Sequence, residues 1–189
     1  ALQELGKMEE AIEAYKNTLL LMPDNNEAYN NLGNALREQG RLKEAIESYE
    51  KAISLKPDYA ETFNNMGITL QEQNRSEEAI EAYKKALLLN PDYAEAHFNI
   101  GNALREKGKL EEAIESYHNV LLLKPDNVEA LNNLGHALNE VKFTAPHPEL
   151  QKTIGLLLDQ KKSVRPKEIV KTVISLLKFE PNLQKHLAS

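Results

Sequence analysis

The chain has 189 residues, of which 41% are hydrophobic and 28% charged, a composition typical of one folded domain or a short repeat array. It has no cysteine, which excludes disulfides and thiolate sites and favours a reducing compartment, so we expect a cytoplasmic protein. No apolar run approaches the ~20 residues of a membrane span, and no signal peptide is visible. Because residue 1 is Ala rather than Met, we expect the chain to have been cut from a longer one.

A 34-residue period runs through most of the sequence. It appears in separate columns of glycine, alanine, tyrosine and proline, which coincidence does not explain. Each repeat is too short to bury an apolar face alone, so the pattern predicts helical units that stack on one another. The glycine column is Gly33, Gly67, Gly101 and Gly135, the tyrosine column is Tyr15, Tyr49, Tyr83 and Tyr117, and the proline column is Pro23, Pro57, Pro91 and Pro125.

In chain order, residues 1–25 are predicted to hold the end of a first helix and a complete second helix. Complete helix–turn–helix units follow at 26–59, 60–93 and 94–127, and one more first helix at 128–141. Each start carries Asp followed three residues later by Glu, as in Asp24 and Glu27, which predicts an aspartate N-cap. The first helices are expected to end at a left-handed residue, which is Gly40, Asn74 or Gly108.

The residues of this period resemble the tetratricopeptide repeat family. Within the unit 26–59 the resemblance rests on two groups, Tyr29, Leu32 and Gly33 in the first helix and Ala45, Tyr49 and Ala52 in the second. It covers residues 1–141. It implies an all-α fold, a right-handed solenoid of antiparallel helix pairs whose first helices line a concave groove.

Asparagines recur on the side of the first helices opposite the packed stripe. With Asn26, Ala60, Ala94 and Val128 as register position 1, position 6 is Asn in every unit, and positions 5 and 9 are mostly Asn. A helical wheel at ~100° per residue points these positions away from the core and toward the groove. The predicted peptide-binding residues are Asn31, Asn65, Asn99 and Asn133 at position 6, Asn30, Asn64, Phe98 and Asn132 at position 5, Asn34, Asn102 and His136 at position 9, and Arg37 and Arg105 at position 12.

Carboxamides both donate and accept, so such a column is suited to the amides of an extended peptide. The position-6 asparagines are similar to those of the repeat arm of O-linked N-acetylglucosamine transferases, which implies a grip on substrate peptides. Two plainer interpretations stay open: a solvated face, and bridges between neighbouring first helices. Glu at positions 2 and 13 makes the groove neutral to acidic, and no Lys occupies positions 2, 5 or 6. We therefore expect a polar or basic peptide rather than an acidic C-terminus.

Residues 142–189 break the period and differ in charge. They hold nine basic and four acidic residues, whereas residues 1–140 hold 14 basic and 25 acidic ones. Prolines 146, 148, 166 and 181 divide this segment into predicted helices near 149–160, 166–178 and 182–187. We expect these helices to cap the solenoid, or to lead to a further domain of the kind found in bacterial multidomain proteins. The basic cluster between 161 and 171 is interpreted as a solvated face rather than a nucleic-acid or membrane site.

No phosphate loop, nucleophile signature or paired-histidine motif is present, so no enzyme activity, cofactor or metal site is expected. The predicted function is a protein–protein interaction module. Two alternatives are a substrate-recruiting arm of a larger methyltransferase or glycosyltransferase, and a scaffold that self-associates through uncovered solenoid ends.

Overall fold

The computed structural model describes residues 2–140, which form eight α-helices and no strand. They are α1 (Leu2–Leu21), α2 (Asn26–Glu38), α3 (Leu42–Leu55), α4 (Ala60–Glu72), α5 (Ser76–Leu89), α6 (Ala94–Glu106), α7 (Leu110–Leu123) and α8 (Val128–Glu140). The predicted all-α fold is confirmed, and each complete 34-residue repeat contains two helices. The capping helices and the basic cluster predicted for 142–189 lie outside the described residues.

The chain divides into two compact units, one of residues 1–96 and one from His97 onward. In the first unit α1 packs against α2, α2 against α3, α3 against α4 and α4 against α5. In the second unit α7 packs against α8. Each unit has its own buried residues, among them Tyr49 and Tyr83 in the first and Tyr117 in the second, all fully buried.

The turns inside the repeats have the predicted left-handed residues. The φ angles are 75° at Gly40, 61° at Asn74 and 73° at Gly108. The residue after each of them donates its backbone N–H to the carbonyl oxygen five residues earlier, in the first helix, as Arg41 N does to Leu36 O at 2.9 Å. This Schellman-type ending satisfies carbonyls at the end of the helix and turns the chain into the second helix.

The aspartate caps were predicted wrongly. Asp24 and Asp58 lie in tight turns that follow a proline, one residue before the cap position, and the α2 cap is Asn25. Its side-chain oxygen accepts a hydrogen bond from Ala28 N at 2.9 Å, and Asn127 does the same for Ala130 N at 2.8 Å. Each turn is closed by a backbone bond such as Asn25 N to Met22 O at 3.2 Å. Asn therefore does the capping where it is present, and Asp shapes the preceding turn.

The start of the chain also differs from the prediction. Residues 2–21 form one continuous helix, which passes straight through Gly6. The expected break between a first and a second helix is therefore wrong here, although Gly6 has the same register as Gly40. None of the helices among residues 2–140 is long and apolar enough to cross a membrane.

Candidate functional site

The glycines of the first helices fix how closely the two helices of a repeat approach. A Cβ placed on Gly33 would lie 2.5 Å from Cε1 of Tyr49, and one on Gly67 the same distance from Cε1 of Tyr83. In the second unit the matching distance between Gly101 and Tyr117 is 2.8 Å. The tyrosine ring therefore lies against the glycine backbone, and each first helix presents its opposite side outward.

We call that outward side the first-helix face. In the first unit it is the side of α2 and α4 that carries Asn31 and Asn65, and in the second the side of α6 and α8 that carries Asn102 and Asn133. Asn31 is exposed, and within the described residues its carboxamide has no hydrogen-bond partner. Asn65 is half-buried, and its Nδ2 donates to Oδ1 of Asn30 at 3.2 Å. Position 6 thus offers one free and one braced carboxamide in the first unit.

The position-5 asparagines differ from the expectation. Asn30 and Asn64 are buried, with relative exposures of 1% and 0%. Their Nδ2 groups donate to Oε1 of Glu61 and Glu95, each at 3.4 Å. The prediction that these two side chains face an open groove is therefore wrong, because they are used to connect neighbouring first helices. The bridging interpretation holds for them.

In the second unit the same kind of bridge joins α6 and α8. Nδ2 of Asn133 donates to Oδ1 of Asn102 at 2.9 Å, and that oxygen also accepts from the Tyr117 hydroxyl at 2.8 Å. The ring of Phe98 tilts against that of Tyr117, with centroids 6.2 Å apart. Asn132 is exposed. The exposed and half-buried members of the predicted set in this unit are, besides Asn132, the residues Phe98, Asn99, Asn102, Arg105, Asn133 and His136.

The tyrosine hydroxyls also reach the first-helix face, a contact that the sequence reasoning did not anticipate. The Tyr49 hydroxyl donates to Oδ1 of Asn34 at 2.8 Å. Where position 9 is Ile68, the Tyr83 hydroxyl donates instead to Oε1 of Gln71 at 2.7 Å. The signal was present in the sequence: units with Asn at position 9 have Arg at position 12, and the unit with Ile at position 9 has Gln there.

Some charged side chains on the first-helix face of the first unit form ion pairs, and others form none with the described residues. Arg37 Nη1 contacts Oε1 of Glu72 at 2.9 Å, which joins α2 to α4. Burial by itself would lower the pKa of Arg37, but the hydrogen bond to Glu72 and the negative charge of that carboxylate outweigh burial, so the pKa is raised. Glu27 and Glu38 are exposed and form no ion pair with the described residues. The face of this unit is therefore acidic.

Among residues 2–140 no group of three His, Asp or Glu side chains is placed to hold a metal ion.

A family model of the TPR repeat matches residues 1–36, 33–74, 69–104 and 101–140. The chain belongs to the tetratricopeptide repeat family. No curated protein matches the chain significantly by sequence. Solved structures of TPR proteins do match it, and they agree with the helix pairs described above.

Three of these structures illustrate the similarity. MamA is 27% identical, with a TM-score of 0.68, over 97% of this TPR chain and 94% of that chain. The first TPR of Spaghetti (RPAP3), bound to the HSP90 peptide SRMEEVD, is 30% identical, with a TM-score of 0.58, over 59% of this chain and 89% of that one. The second TPR domain of human RPAP3, in complex with the HSP70 peptide SGPTIEEVD, is 30% identical, with a TM-score of 0.55, over 58% and 91%.

Proposed function

We propose that this TPR chain is a protein-interaction module that binds an extended polypeptide on its first-helix face and acts by binding rather than by catalysis. The observation that carries the proposal is the exposed carboxamide of Asn31, which has no hydrogen-bond partner among residues 2–140, next to the braced carboxamide of Asn65. The peptide-bound RPAP3 structures support it at the level of the family.

The bridge between Asn30 and Asn65 determines which atoms of the column remain for a ligand. Because one N–H of the Asn65 Nδ2 group is donated to Asn30, the Oδ1 and the second N–H of Asn65 remain for a ligand. An oxygen at this place accepts from a peptide N–H without reading the side chain beside it. The buried asparagines therefore act as braces, and the position-6 asparagines are the proposed contacts. This is the mode implied by the resemblance to the arm of O-linked N-acetylglucosamine transferases.

Charge favours a polar or basic ligand. Glu27 and Glu38 have no cationic partner among the described residues, and Arg37 is already paired with Glu72. The peptides bound by the RPAP3 domains end in EEVD and are acidic at that end. An acidic peptide end would meet unpaired carboxylates here, which costs affinity. We therefore propose a partner that is unlike those peptides in charge. We also propose a cytoplasmic location, which the lack of cysteine favours.

The proposal is tested on a peptide array that includes neutral, basic and acidic sequences. The test variant changes Asn31, Asn65, Asn99 and Asn133 to Ala, and the matched control changes Asn17 and Asn119 on the second helices to Ala. We expect the wild type and the control to bind the same neutral or basic peptides and the test variant, with an unchanged circular dichroism spectrum, to lose them. Equal binding by all three proteins would refute the role of the column, and selective binding of EEVD-type peptides would refute the charge argument.

A further inference from the structure

We infer that the ring of Tyr93 and the carboxylates of Glu61 and Glu95 form a subsite for a lysine or arginine side chain of the ligand. The subsite lies in the first unit, where α4 and α6 begin. It rests on the proposed function and deepens it, because it specifies a side chain that the bound polypeptide presents. Tyr93 is half-buried, and both glutamates are exposed. None of the three residues belongs to the asparagine column.

The preceding repeat contains the same arrangement with a cation in place. Nζ of Lys56 lies 4.9 Å from the centroid of the Tyr59 ring, within the ~6 Å over which an aromatic face attracts a cation. The hydroxyl of the same ring donates to Oε2 of Glu61 at 3.1 Å. An ammonium group, a tyrosine ring and a carboxylate therefore meet at the start of α4, and the chain supplies all three.

One repeat later, Asn90 takes the place of the lysine. Tyr93 N donates to Asn90 O at 3.2 Å. Tyr59 N donates to Lys56 O at 3.4 Å in the same way, so the two turns share one hydrogen-bond pattern. The side-chain oxygen of Asn90 accepts from a backbone N–H of its own turn at 3.2 Å, and no lysine or arginine among residues 2–140 lies over the Tyr93 ring. The described part of the chain thus supplies the ring here but not the cation.

Neutral groups hold the two carboxylates around Tyr93 in place. Oε1 of Glu61 accepts from Nδ2 of Asn30, and Oε1 of Glu95 accepts from Nδ2 of Asn64, each at 3.4 Å. Neither glutamate forms an ion pair with a lysine or arginine of the described residues. Burial, and then the charges of Glu95 and Glu61, raise the pKa of Tyr93 to about 12, so both carboxylates act on this side chain. A cation at the ring therefore meets positioned negative charge.

The subsite lies within reach of a peptide that binds to the asparagine column. Glu61 and Asn65 are four residues apart in α4, which corresponds to about 6 Å along the helix axis. An extended peptide covers this distance in about two residues. A ligand residue whose amide bonds to Asn65 therefore has a neighbour about two positions away whose side chain can enter the subsite. The subsite selects a basic residue at one place in the ligand, whereas the acidic face as a whole only favours positive charge.

The test uses a probe with a single side chain, Nα-acetyl-lysine N-methylamide, and the norleucine analogue, which lacks the ammonium group. Each is titrated at constant ionic strength into the whole isotope-labelled chain, and the backbone amide chemical shifts are measured by NMR. We expect saturable shifts at Tyr93 and Glu95 with the lysine probe and none with the norleucine probe. Glu95→Gln keeps an oxygen for Asn64 and should weaken binding up to about fivefold, as for an exposed ion pair, whereas the control Glu38→Gln should bind like the wild type.

The preceding repeat suggests a variant that fills the subsite. Asn90→Lys copies the arrangement of Lys56 over Tyr59, and it should weaken binding of the lysine probe at least about tenfold, because a tethered cation competes at a high effective concentration. The matched control Asn90→Gln adds no charge and should bind like the wild type.

Three results would overturn the inference: no saturable shift with the lysine probe, equal shifts with both probes, or unchanged binding by Asn90→Lys. Shifts spread evenly over the exposed acidic residues would also overturn it, in favour of diffuse attraction. The four-asparagine variant of the array experiment reports on the asparagine column, to which neither Asn90 nor Glu95 belongs. A failure of the column and a failure of the subsite are therefore seen in different experiments.

Discussion

A methyl group added to Gly33 should destabilise the protein, although alanine is the better helix former. The new Cβ would lie 2.5 Å from Cε1, 2.7 Å from Cδ1 and 2.8 Å from Cζ of Tyr49. Ordinary contacts of this kind begin near 3.4 Å, so the ring must shift by about 1 Å. The ring has no free space to move into, because Tyr49 is fully buried and its hydroxyl is bonded to Asn34.

The expected size of the effect follows from three opposing contributions. Overpacking of a well-filled core costs about 1–3 kcal/mol. Loss of the hydrogen bond between Tyr49 and Asn34 costs about 1 kcal/mol more, and the change from glycine to alanine in a helix returns about 1 kcal/mol. The net loss of unfolding free energy for Gly33→Ala is therefore about 1–3 kcal/mol. With an m-value of about 2 kcal/mol/M, the urea midpoint should fall by about 0.5–1.5 M.

The control for this experiment is Gly101→Ala, where the closest approach is 2.8 Å rather than 2.5 Å and the strain is smaller. Both variants are followed by circular dichroism during urea titration. A midpoint for Gly33→Ala at or above that of the wild type would refute the reasoning, because it would mean that the Tyr49 ring yields without cost.

Three further predictions concern single side chains. The buried Oγ1 of Thr62 has no hydrogen-bond partner among the residues that the structure describes, so Thr62→Ala should raise the unfolding free energy by up to about 1 kcal/mol. Thr69→Ala removes a 2.9 Å bond to a backbone carbonyl and should lower the unfolding free energy, and both variants are measured by urea titration. In the same assay Asn30→Ala should lower the unfolding free energy by about 1–3 kcal/mol, because it removes two hydrogen bonds between first helices in a buried site. Asn31→Ala should lower it by less than about 0.5 kcal/mol, and equal losses would contradict the conclusion that Asn30 is a brace and Asn31 a ligand contact. Burial, and then nearby carboxylates, raise the pKa of Tyr93 to about 12, so the folded state holds this proton more tightly than the unfolded chain. The protonated Tyr93 hydroxyl therefore contributes to the stability of the folded state at neutral pH, and this contribution is lost as the pH rises from about 10 to about 12. Over this pH range the urea midpoint of Tyr93→Phe should fall less steeply than that of the wild type.

The repeat, its helices and its turns are predictable from the sequence because they depend on short-range steric facts. A left-handed backbone requires residues such as Gly40 or Asn74, and a close helix pair requires Gly33 opposite Tyr49. The aspartate cap was wrong because Asp24 and Asn25 are both good capping residues, and the turn after Pro23 decides which of them stands at the cap position.

The candidate site was less predictable, for a geometric reason. A helical wheel gives the direction of a side chain from its own helix axis and contains no information about the next helix. Asn30 and Asn64 point away from the second helix of their own repeat, and the following first helix then covers them. The distinction between braces and available carboxamides therefore needed the distance between repeats, which no single repeat contains.

The two kinds of contact described above differ in the cooperativity that they create. The contact between Gly33 and Tyr49 lies within one repeat and contributes to its intrinsic stability. On the first-helix side of the first unit, the contacts from one repeat to the next include the asparagine bridges and the ion pair between Arg37 and Glu72. In a chain of nearest-neighbour couplings, these polar contacts transmit folding between repeats. Ionic strength should therefore affect how sharply the array unfolds more than how stable each repeat is, and a peptide that bonds to the same carboxamides would change the coupling between the repeats.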